Sequence, residues 1–347
     1  MARVLLLFGG RSSEHEVSCA SAVSVHDALV ESDHRVIPVG VDRSGSWFLA
    51  DRSSRPFRAE GRQVELLVPD GSLVVGDDAI GFDVAFPVLH GPYGEDGTVQ
   101  GALETCDVPY VGCGVLGGAL AMDKDLTKQI VASKGIATAP WIAIRRREWD
   151  DDPSIAIGEA MRALGFPVFV KPSAQGSSVG ISRATDEGDL KEAISKAFRY
   201  DTKVVVEKAI SAREIEVGVL DGPISSVPGE VLVQDGWYTY DAKYQDDTSS
   251  FEAPAKLSQE ASKQVKDLAE RIFETLGLSG LARVDFFYEN GTRRFLFNEV
   301  NTLPGFTSIS GFPKVWIASG LTYPELCSRL VDAAIERHDE RGNLAIR

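Results

Sequence analysis

The sequence predicts an α/β protein whose N-terminal third forms a doubly wound parallel sheet. Short apolar segments at Val4–Phe8, Val36–Val41 and Asp83–Leu89 have the length and composition of buried strands. Between the first two, apolar residues recur at helical spacing over positions 16–29. Because strand, helix and strand in succession are typical of parallel sheets, this third of the chain favours that architecture.

The middle of the chain repeats the alternation on a smaller scale. A helix is predicted over Asp125–Lys134 and ends at Gly135, and a strand over Pro167–Lys171 runs into a polar glycine and serine stretch. A second helix is predicted over Glu187–Tyr200 and a second strand over Lys203–Lys208. These elements predict a second, smaller α/β unit.

The last third has the clearest patterns. Apolar residues from Ala261 to Leu276 form one helical stripe. Two strands, Leu281–Tyr288 and Arg294–Glu299, flank an Asn290-Gly291 turn. A capping box with an internal proline, Thr322–Glu325, predicts the start of a final helix.

Composition and charge narrow the classes of function. The 347 residues include 51 Asp and Glu against 36 Lys and Arg, a net charge of −15, which argues against a nucleic-acid-binding protein. No apolar run approaches the roughly 20 residues that span a bilayer, so no membrane segment is expected. The 4 cysteines lack CxxC spacing, which favours reduced thiols and a cytoplasmic protein.

Polar residues on the two C-terminal strands predict a metal site. Arg283 and Asp285 share one strand face, and Glu299 and Asn301 share a face of the next strand. Carboxylate and amide oxygens are the ligands that Mg²⁺ prefers. A two-residue hairpin would set Asp285 opposite Leu296, on the wrong face, so an odd loop or a bulge is required to bring it beside Glu299.

The alternative interpretation of these strands is a solvent-facing polar edge. Alternating aromatic residues, Phe287, Phe295 and Phe297, are expected on the same face as the carboxylates and argue that this face is partly buried.

Other candidate site residues lie in loops and at strand ends. Lys171 opens a glycine- and serine-rich segment through Gly180, a composition that suits phosphate but also a plain surface loop. Lys124 opens a helix, where a cation is unfavourable unless it has a ligand or solvent to contact. Glu14 follows the first strand, where it could bind a substrate ammonium group or serve as a helix N-cap. His90 ends another buried strand, where it could belong to a binding site or be a structural histidine.

In their order and spacing, these motifs resemble the D-alanine–D-alanine ligases of the ATP-grasp superfamily. The resemblance runs from Phe8 to about Leu330. The stretches that carry it are FGGRSSEHEVS (8–18), LHGPYGEDGTVQG (89–101), MDK (122–124), VKPSAQGSSVG (170–180), AKY (242–244), RVD (283–285) and NEVNTLPGFTS (298–308).

The resemblance implies a fold and a reaction. The expected fold is a three-domain ATP-grasp ligase: residues 1–122 form an N-terminal substrate domain, 123–212 a central ATP-grasp domain and 213–347 a C-terminal catalytic domain. The implied reaction joins two D-alanines through an acyl phosphate, with ATP and two Mg²⁺ ions (or Mn²⁺), for peptidoglycan precursor synthesis and hence cell-wall biogenesis and cell shape. D-alanine and ATP are the expected small-molecule partners, and the expected assembly is a homodimer.

The resemblance also assigns roles residue by residue. ATP phosphates are expected at Lys124 and Lys171, with Lys243 at the transferred phosphate. Metal ligands, nucleotide-binding residues and catalytic residues are expected as follows: Asp285, Glu299 and Asn301 for the metal; Glu207, Ala209, Ile210 and Glu214 for adenine and ribose; Arg283 and the Gly305 amide for the oxyanion; Glu14, Ser177 and Tyr244 for closing the loop over the first substrate; His90 and Ser310 for the second.

The choice of second substrate stays open at this point. Tyr244 is the residue that the family's D-lactate-using relatives lack, so its presence favours an amine. The LARVDFF and NEVNTLPGFTS stretches, however, also resemble the glycopeptide-resistance branch, which includes D-serine users that keep the tyrosine. A D-Ala–D-lactate or D-Ala–D-Ser ligase is therefore the alternative. Gln175 departs from the charged residue that relatives often carry in the phosphate loop.

Overall fold

A computed structural model describes residues 1–233 and 249–344 of the chain, and their strands form three sheets. The first third contains β1 (Arg3–Gly9), α1 (His15–Glu31), β2 (Arg35–Val41), β3 (Trp47–Leu49), β4 (Arg62–Leu66), β5 (Leu73–Val75), β6 (Asp78–Ile80), β7 (Val84–Pro87), α2 (Thr98–Thr105) and α3 (Val115–Met122). Its 7-stranded sheet has the order β6-β5-β4-β3-β2-β1-β7.

The parallel part of this sheet is confirmed over three strands. β1 lies between β2 and β7 and pairs with both in parallel. Residues 4–8 of β1 are fully buried, which explains its continuous apolar sequence. An antiparallel extension of β3 to β6, which the sequence did not predict, continues the sheet. These strands were missed because they have only 3 to 5 residues and little continuous burial.

The middle of the chain forms a small antiparallel sheet with helices against it. Its elements are α4 (Lys124–Ser133), β8 (Trp141–Arg145), α5 (Arg146–Asp151), α6 (Pro153–Leu164), β9 (Val168–Pro172), β10 (Ser182–Ala184), α7 (Glu187–Ala197) and β11 (Lys203–Lys208). The order is β10-β9-β11-β8, and its core includes Val170, Ile194 and Val206. α4 packs instead on the third sheet, where Val131 joins that core.

The last third forms a 6-stranded sheet. Its elements are β12 (Ala212–Leu220), β13 (Ile224–Ser225), β14 (Gly229–Val233), β15 (Ser249–Glu252), α8 (Gln259–Thr275), β16 (Leu281–Glu289), β17 (Phe295–Asn301), α9 (Gly311–Ala318) and α10 (Tyr323–Gly342). The main path is β15-β14-β12-β16-β17, with β13 beside β12. As predicted, α8 buries the stripe that contains Val265, Ala269 and Ile272.

The final helix ties the end of the chain to its beginning. The predicted capping box is present, since Thr322 and Glu325 bond reciprocally at the start of α10. Leu326, Leu330 and Val331 then pack into the core of the first sheet. Within the described ranges, no helix is long and apolar enough to cross a bilayer.

Candidate active site

A β-bulge between β16 and β17 sets the geometry of the polar cluster. Arg283 lies opposite Asn301 and Asp285 opposite Glu299, whereas Phe286 lies opposite Phe297. Two steps along β17 therefore match one step along β16, and the register shifts between Asp285 and Phe286. The predicted need for an odd loop or bulge is confirmed, because Asp285 and Glu299 now lie on one face.

The same bulge overturns the expected position of two aromatic residues. Because parity changes at the bulge, Phe297 and Phe295 lie on the face of Phe286, away from the carboxylates. Their rings lie 6.5 Å and 6.2 Å from the Phe286 ring and are buried in the core beneath α8. The sheet is thus apolar on one side and carries the polar cluster on the other.

Arg283 lies between two carboxylates on neighbouring strands. Its Nε and Nη2 donate to Asp285 at 2.8 and 2.7 Å, and its Nε lies 3.4 Å from the Oε2 of Glu216. Burial by itself lowers the pKa of Arg283, but Asp285 and Glu216 outweigh burial and raise that pKa well above its usual value. The guanidinium therefore stays charged.

The donor set on this face suits a hard divalent cation. The Nδ2 of Asn301 donates to Asp285 at 3.0 Å, so its amide lies against the carboxylate. Glu299 lies opposite Asp285 on the next strand. Two carboxylates and an amide oxygen match the ligand chemistry of Mg²⁺, which also retains waters and substrate oxygens. The residues present therefore fit the expected metal.

Three lysines from the central part of the chain pair with Glu299 or Glu207. The Nζ of Lys124 donates to the carbonyl of Gln175 at 2.7 Å and lies 3.5 Å from Glu299. The Nζ of Lys171 donates to Glu207 at 2.8 Å, and Lys128 lies 3.3 Å from the other oxygen of that carboxylate. Burial lowers the pKa of Lys171, but Glu207 and Glu299 more than compensate, so the pKa is raised.

The glycine- and serine-rich loop after β9 contacts the N-terminal part of the chain. The hydroxyl of Ser177 donates to the carboxylate of Glu14, which is buried at the start of α1. Ser177 and Ser178 have φ of 44° and 58°, in the left-handed region that disfavours residues with a Cβ. Contacts such as the one to Glu14 offset that cost.

His90 and a second buried carboxyl lie behind Glu14. The ring of His90 lies 2.9 Å from the carbonyl of Leu303 through Nδ1 and 2.9 Å from the hydroxyl of Ser21 through Nε2. Since a carbonyl only accepts, Nδ1 carries the proton, and burial lowers the pKa of His90. Burial, and then the charge of Glu14, raise the pKa of Glu95 well above its usual value.

The remaining assigned residues lie before α9, at the junction of β11 and β12, on β12, or outside the described ranges. In the turn before α9, the hydroxyl of Ser310 accepts from the amide of Thr307 at 3.2 Å and contacts the Thr307 hydroxyl at 2.7 Å, and Gly305 lies close by. Ala209 and Ile210 connect β11 to β12, and Glu214 lies on β12. Lys243 and Tyr244 lie outside the described residues.

One cleft brings together residues from all three parts of the chain. It is lined by Glu95, Lys124, Ser177, Glu299 and Asn301, among others.

Sequence reasoning missed three buried charged residues of this neighbourhood, Glu95, Lys128 and Glu216. A signal existed for Lys128, which follows Lys124 by one helical turn and so shares its face. A second existed for Glu216, which alternates with Glu214 along one strand.

Comparison with known proteins points to one family along nearly the whole chain. Models described as "D-ala D-ala ligase N-terminus" and "D-ala D-ala ligase C-terminus" match residues 3–113 and 130–332. The D-alanine–D-alanine ligase A of Bradyrhizobium diazoefficiens is 45% identical, covering 99% of this chain and 97% of that protein. The D-alanine–D-alanine ligase of Geobacillus kaustophilus is 42% identical with the same coverage.

Two solved ligase structures are also similar to this chain. The D-alanine–D-alanine ligase of Coxiella burnetii has a TM-score of 0.84 at 33% identity, covering 99% of this chain and 97% of that one. The VanG D-Ala:D-Ser ligase of Enterococcus faecalis also has a TM-score of 0.84 at 33% identity, covering 96% and 99%.

Proposed function

Because the chain belongs to the D-alanine–D-alanine ligase family, we propose that it joins two D-alanines into D-alanyl-D-alanine with ATP. The observation that carries the proposal is similarity to proteins of that name over 99% of the chain at 42% to 45% identity. The product would serve peptidoglycan precursor synthesis. The division into domains 1–122, 123–212 and 213–347 is part of the same proposal, supported by the three separate sheets.

The reaction needs an activated carboxylate, because a free carboxylate is a poor electrophile. The carboxylate of the first D-alanine takes the γ-phosphoryl group of ATP, and ADP leaves. The amine of the second D-alanine then attacks the carbonyl carbon, the tetrahedral intermediate collapses, and inorganic phosphate leaves as the peptide bond forms. A closed site stabilises the oxyanion and keeps water from the acyl phosphate.

We assign the phosphate-binding chemistry to the lysines and the metal-binding face. Lys124 and Lys171 supply positive charge for the ATP phosphates, and Lys243 contacts the transferred phosphoryl group. Mg²⁺, or Mn²⁺ in its place, would be held by Asp285, Glu299 and Asn301 and would supply further positive charge against phosphate oxygens. Glu207, Ala209, Ile210 and Glu214 form the adenine and ribose side of the proposed nucleotide site.

We assign substrate binding to residues on the N-terminal side of the cleft and around α9. Glu14 holds the ammonium group of the first D-alanine, and Ser177 and Tyr244 complete the closed loop. His90 and Ser310 border the second subsite. Arg283 and the amide of Gly305 stabilise the oxyanion, and the raised pKa of Arg283 keeps it cationic throughout.

A second candidate function is a D-Ala–D-Ser ligase, or a D-Ala–D-lactate ligase. The specific observation behind a D-Ala–D-Ser ligase is the similarity to the VanG D-Ala:D-Ser ligase, which equals the similarity to the Coxiella burnetii D-alanine–D-alanine ligase at a TM-score of 0.84 and 33% identity. Product mass spectrometry with ATP, Mg²⁺, D-alanine and an equal amount of D-serine or D-lactate separates the candidates. We expect D-Ala-D-Ala as the dominant product; a dominant mixed product would move the chain to the second candidate.

The proposal also includes a cellular compartment and an oligomeric state. A cytoplasmic location is supported by the four cysteines, Cys19, Cys106, Cys113 and Cys327, which are buried free thiols. We also propose a homodimer, on the family resemblance alone. Light scattering should give twice the 37.5 kDa mass of the chain, and a mass of one chain would contradict it.

A further inference from the structure

Lys128 has no role in the site as described, yet its environment is unusual. Its side chain has 0% exposure, and lysines are almost never fully buried without a paired charge. It lies on α4 one turn after Lys124, so both lysines project from the helix face that meets the cleft. Lys124 reaches Glu299 near the opening, whereas Lys128 lies deeper.

The contacts of Lys128 lead to one carboxylate. Its Nζ lies 3.3 Å from the Oε1 of Glu207, and the Nζ of Lys171 lies 2.8 Å from the Oε2 of the same group. The Lys128 ammonium also lies 5.8 Å from the centre of the Phe297 ring. Within the part of the chain that the structure describes, the Nζ makes no hydrogen bond of normal geometry. Its main interaction is therefore the charge of Glu207.

The balance of charge in this cluster favours an anion. With Lys171 alone, Glu207 would form a neutral pair, and the charge of Lys171 would be largely compensated. With Lys128 present, two ammonium groups share the carboxylate of Glu207, so Lys128 makes the surroundings of this carboxylate more positive; Glu299, which pairs with Lys124, also acts on Lys171. In a buried site of low dielectric constant, the charge that Lys128 adds acts strongly on an incoming phosphate.

Lys171 is placed where its positive charge can act on a bound phosphate. Besides Glu207, its Nζ lies 3.4 Å from the Oδ1 of Asn298, a residue at the β-bulge that precedes Glu299. Lys171 thus bridges the central strand β11 and the metal-binding strand β17. Glu207 holds Lys171 in this position through its Oε2, while its Oε1 is paired with Lys128.

We propose that Lys128 is a positioning residue for nucleotide binding: it compensates Glu207 so that Lys171 keeps its orientation and its charge for the phosphates of ATP. This inference rests on the proposed function in taking ATP as the nucleotide. The competing explanation is that Lys128 only anchors α4 to the core, in which case its loss would change stability and leave nucleotide affinity unchanged.

The charge state of the Lys128 ammonium is consistent with the proposed positioning role. Burial lowers the pKa of Lys128, although the charge of Glu207 opposes this effect. An incoming polyanion acts in the same direction as Glu207 and favours the charged ammonium. Nucleotide binding and the charge on Lys128 therefore reinforce each other.

The test compares three variants of the full chain. Lys128→Met removes the buried charge and keeps most of the volume. Lys171→Met removes the proposed phosphate contact itself. Lys134→Met is the matched control, because Lys134 is exposed beyond the end of the same helix. For each variant we would measure the Kd of ATP by calorimetry without D-alanine, the KM for ATP and for D-alanine, kcat, and the Tm.

We expect Lys128→Met to raise the Kd and the KM of ATP about tenfold, a mid-range value for coupling within one ion-pair network. The KM for D-alanine and kcat should stay within about twofold, since the lost interaction is made equally in the ground and transition states. Lys171→Met should have a larger effect and Lys134→Met none. A lower Tm with an unchanged Kd for ATP would overturn the proposal.

Two further results keep the test decisive. If Lys128→Met does not fold, Lys128→Gln removes the charge and retains a hydrogen-bond donor, and its Kd for ATP is read in the same way. If the wild type binds ATP but makes no D-Ala-D-Ala, the proposed function fails, whereas the comparison of ATP affinities still decides the role of Lys128.

Discussion

The hydroxyl of Ser177 donates a hydrogen bond to the carboxylate of Glu14, although 163 positions separate them in the chain. This contact joins the loop after β9 to the loop before α1, and Ser177 lines the cleft together with Lys124, Glu299 and Asn301. The loop adopts left-handed backbone at Ser177 and Ser178, so it depends on such contacts to remain closed.

Breaking that contact should impair catalysis more than stability. Ser177→Ala removes a hydrogen bond to a charged group, which is worth about 1.5–3 kcal/mol, so we expect kcat/KM to fall by roughly 10- to 100-fold. The Tm should change little, because the loop lies outside the hydrophobic cores. Ser195→Ala, on the exposed side of α7, is the control. Steady-state kinetics with D-alanine as the varied substrate measure the effect, and wild-type activity would remove this role from Ser177.

Removing the proposed metal ligands should abolish the reaction. Asp285→Ala combined with Glu299→Ala deletes both carboxylates of the polar face, and we expect kcat to fall by at least about 100-fold because the phosphate charge is no longer compensated. Phosphate release at increasing Mg²⁺ concentration is the assay. Asp267→Ala, which removes an exposed partner of Lys263, is the control. Full ligase activity in the double variant would contradict the metal assignment.

The second substrate should depend on Tyr244. On the family resemblance, Tyr244→Phe removes the hydroxyl that distinguishes amine-using ligases from their D-lactate-using relatives. We expect the fraction of depsipeptide in a mixture of D-alanine and D-lactate to rise, by several-fold if one hydrogen bond of about 1 kcal/mol is lost. Mass spectrometry of the products gives the ratio, and the same ratio as in the wild type would count against this role.

Local patterns in the sequence predicted the local structure well, whereas the contacts that complete the site are long-range. The Thr322 capping box and the stripe through Val265 are confirmed because neighbours along one helix determine both. Strand parity even required the bulge that sets Asp285 beside Glu299. Helical spacing places Lys128 on the face of Lys124, but the pairing of Lys128 with Glu207 and the bond from Ser177 to Glu14 depend on how separate sheets meet, which no local pattern encodes.

Acid should destabilise the protein partly through His34, which links the N-terminus to α10. Its Nδ1 accepts from the Ala2 amide at 3.2 Å, and its Nε2 lies 2.9 Å from the hydroxyl of Ser328. Burial lowers the pKa of His34, so the unfolded chain binds the proton more readily than the folded one. The stabilising effect is therefore complete above the unfolded pKa near 6.5 and is lost as the pH falls towards the folded pKa.

Urea unfolding at pH 7.5 and 5.5 tests this dependence. We expect a lower free energy of unfolding at pH 5.5, with His34 contributing less than about 1.4 kcal/mol per pH unit, the limit for one proton. His34→Gln should show a weaker dependence than the wild type. His26→Gln, which changes a histidine bonded to exposed Asp27, should retain the wild-type dependence. Equal dependence in His34→Gln and the wild type would exclude His34 as the source.

Glu216 should influence metal binding without contacting the metal. It lies opposite Asp285 on the neighbouring strand, with Arg283 between the two carboxylates. If Asp285 is the metal ligand that we propose, Arg283 competes with Mg²⁺ for it, because the guanidinium engages both of its oxygens. Glu216 attracts the guanidinium in the other direction. Its loss would leave Arg283 more firmly bound to Asp285 and raise the cost of binding the cation.

Glu216→Gln tests this competition, because it keeps the size of the side chain and removes its charge. We expect the Mg²⁺ concentration that gives half-maximal activity to rise about threefold to tenfold, in line with coupling inside one charge network, while the KM for D-alanine changes little. Glu230→Gln, which weakens the pair with Arg213 on the same sheet, is the matched control and should leave the Mg²⁺ dependence unchanged. If Glu216→Gln needs no more Mg²⁺ than the wild type, Glu216 does not weaken the contact between Arg283 and Asp285, and the prediction is wrong.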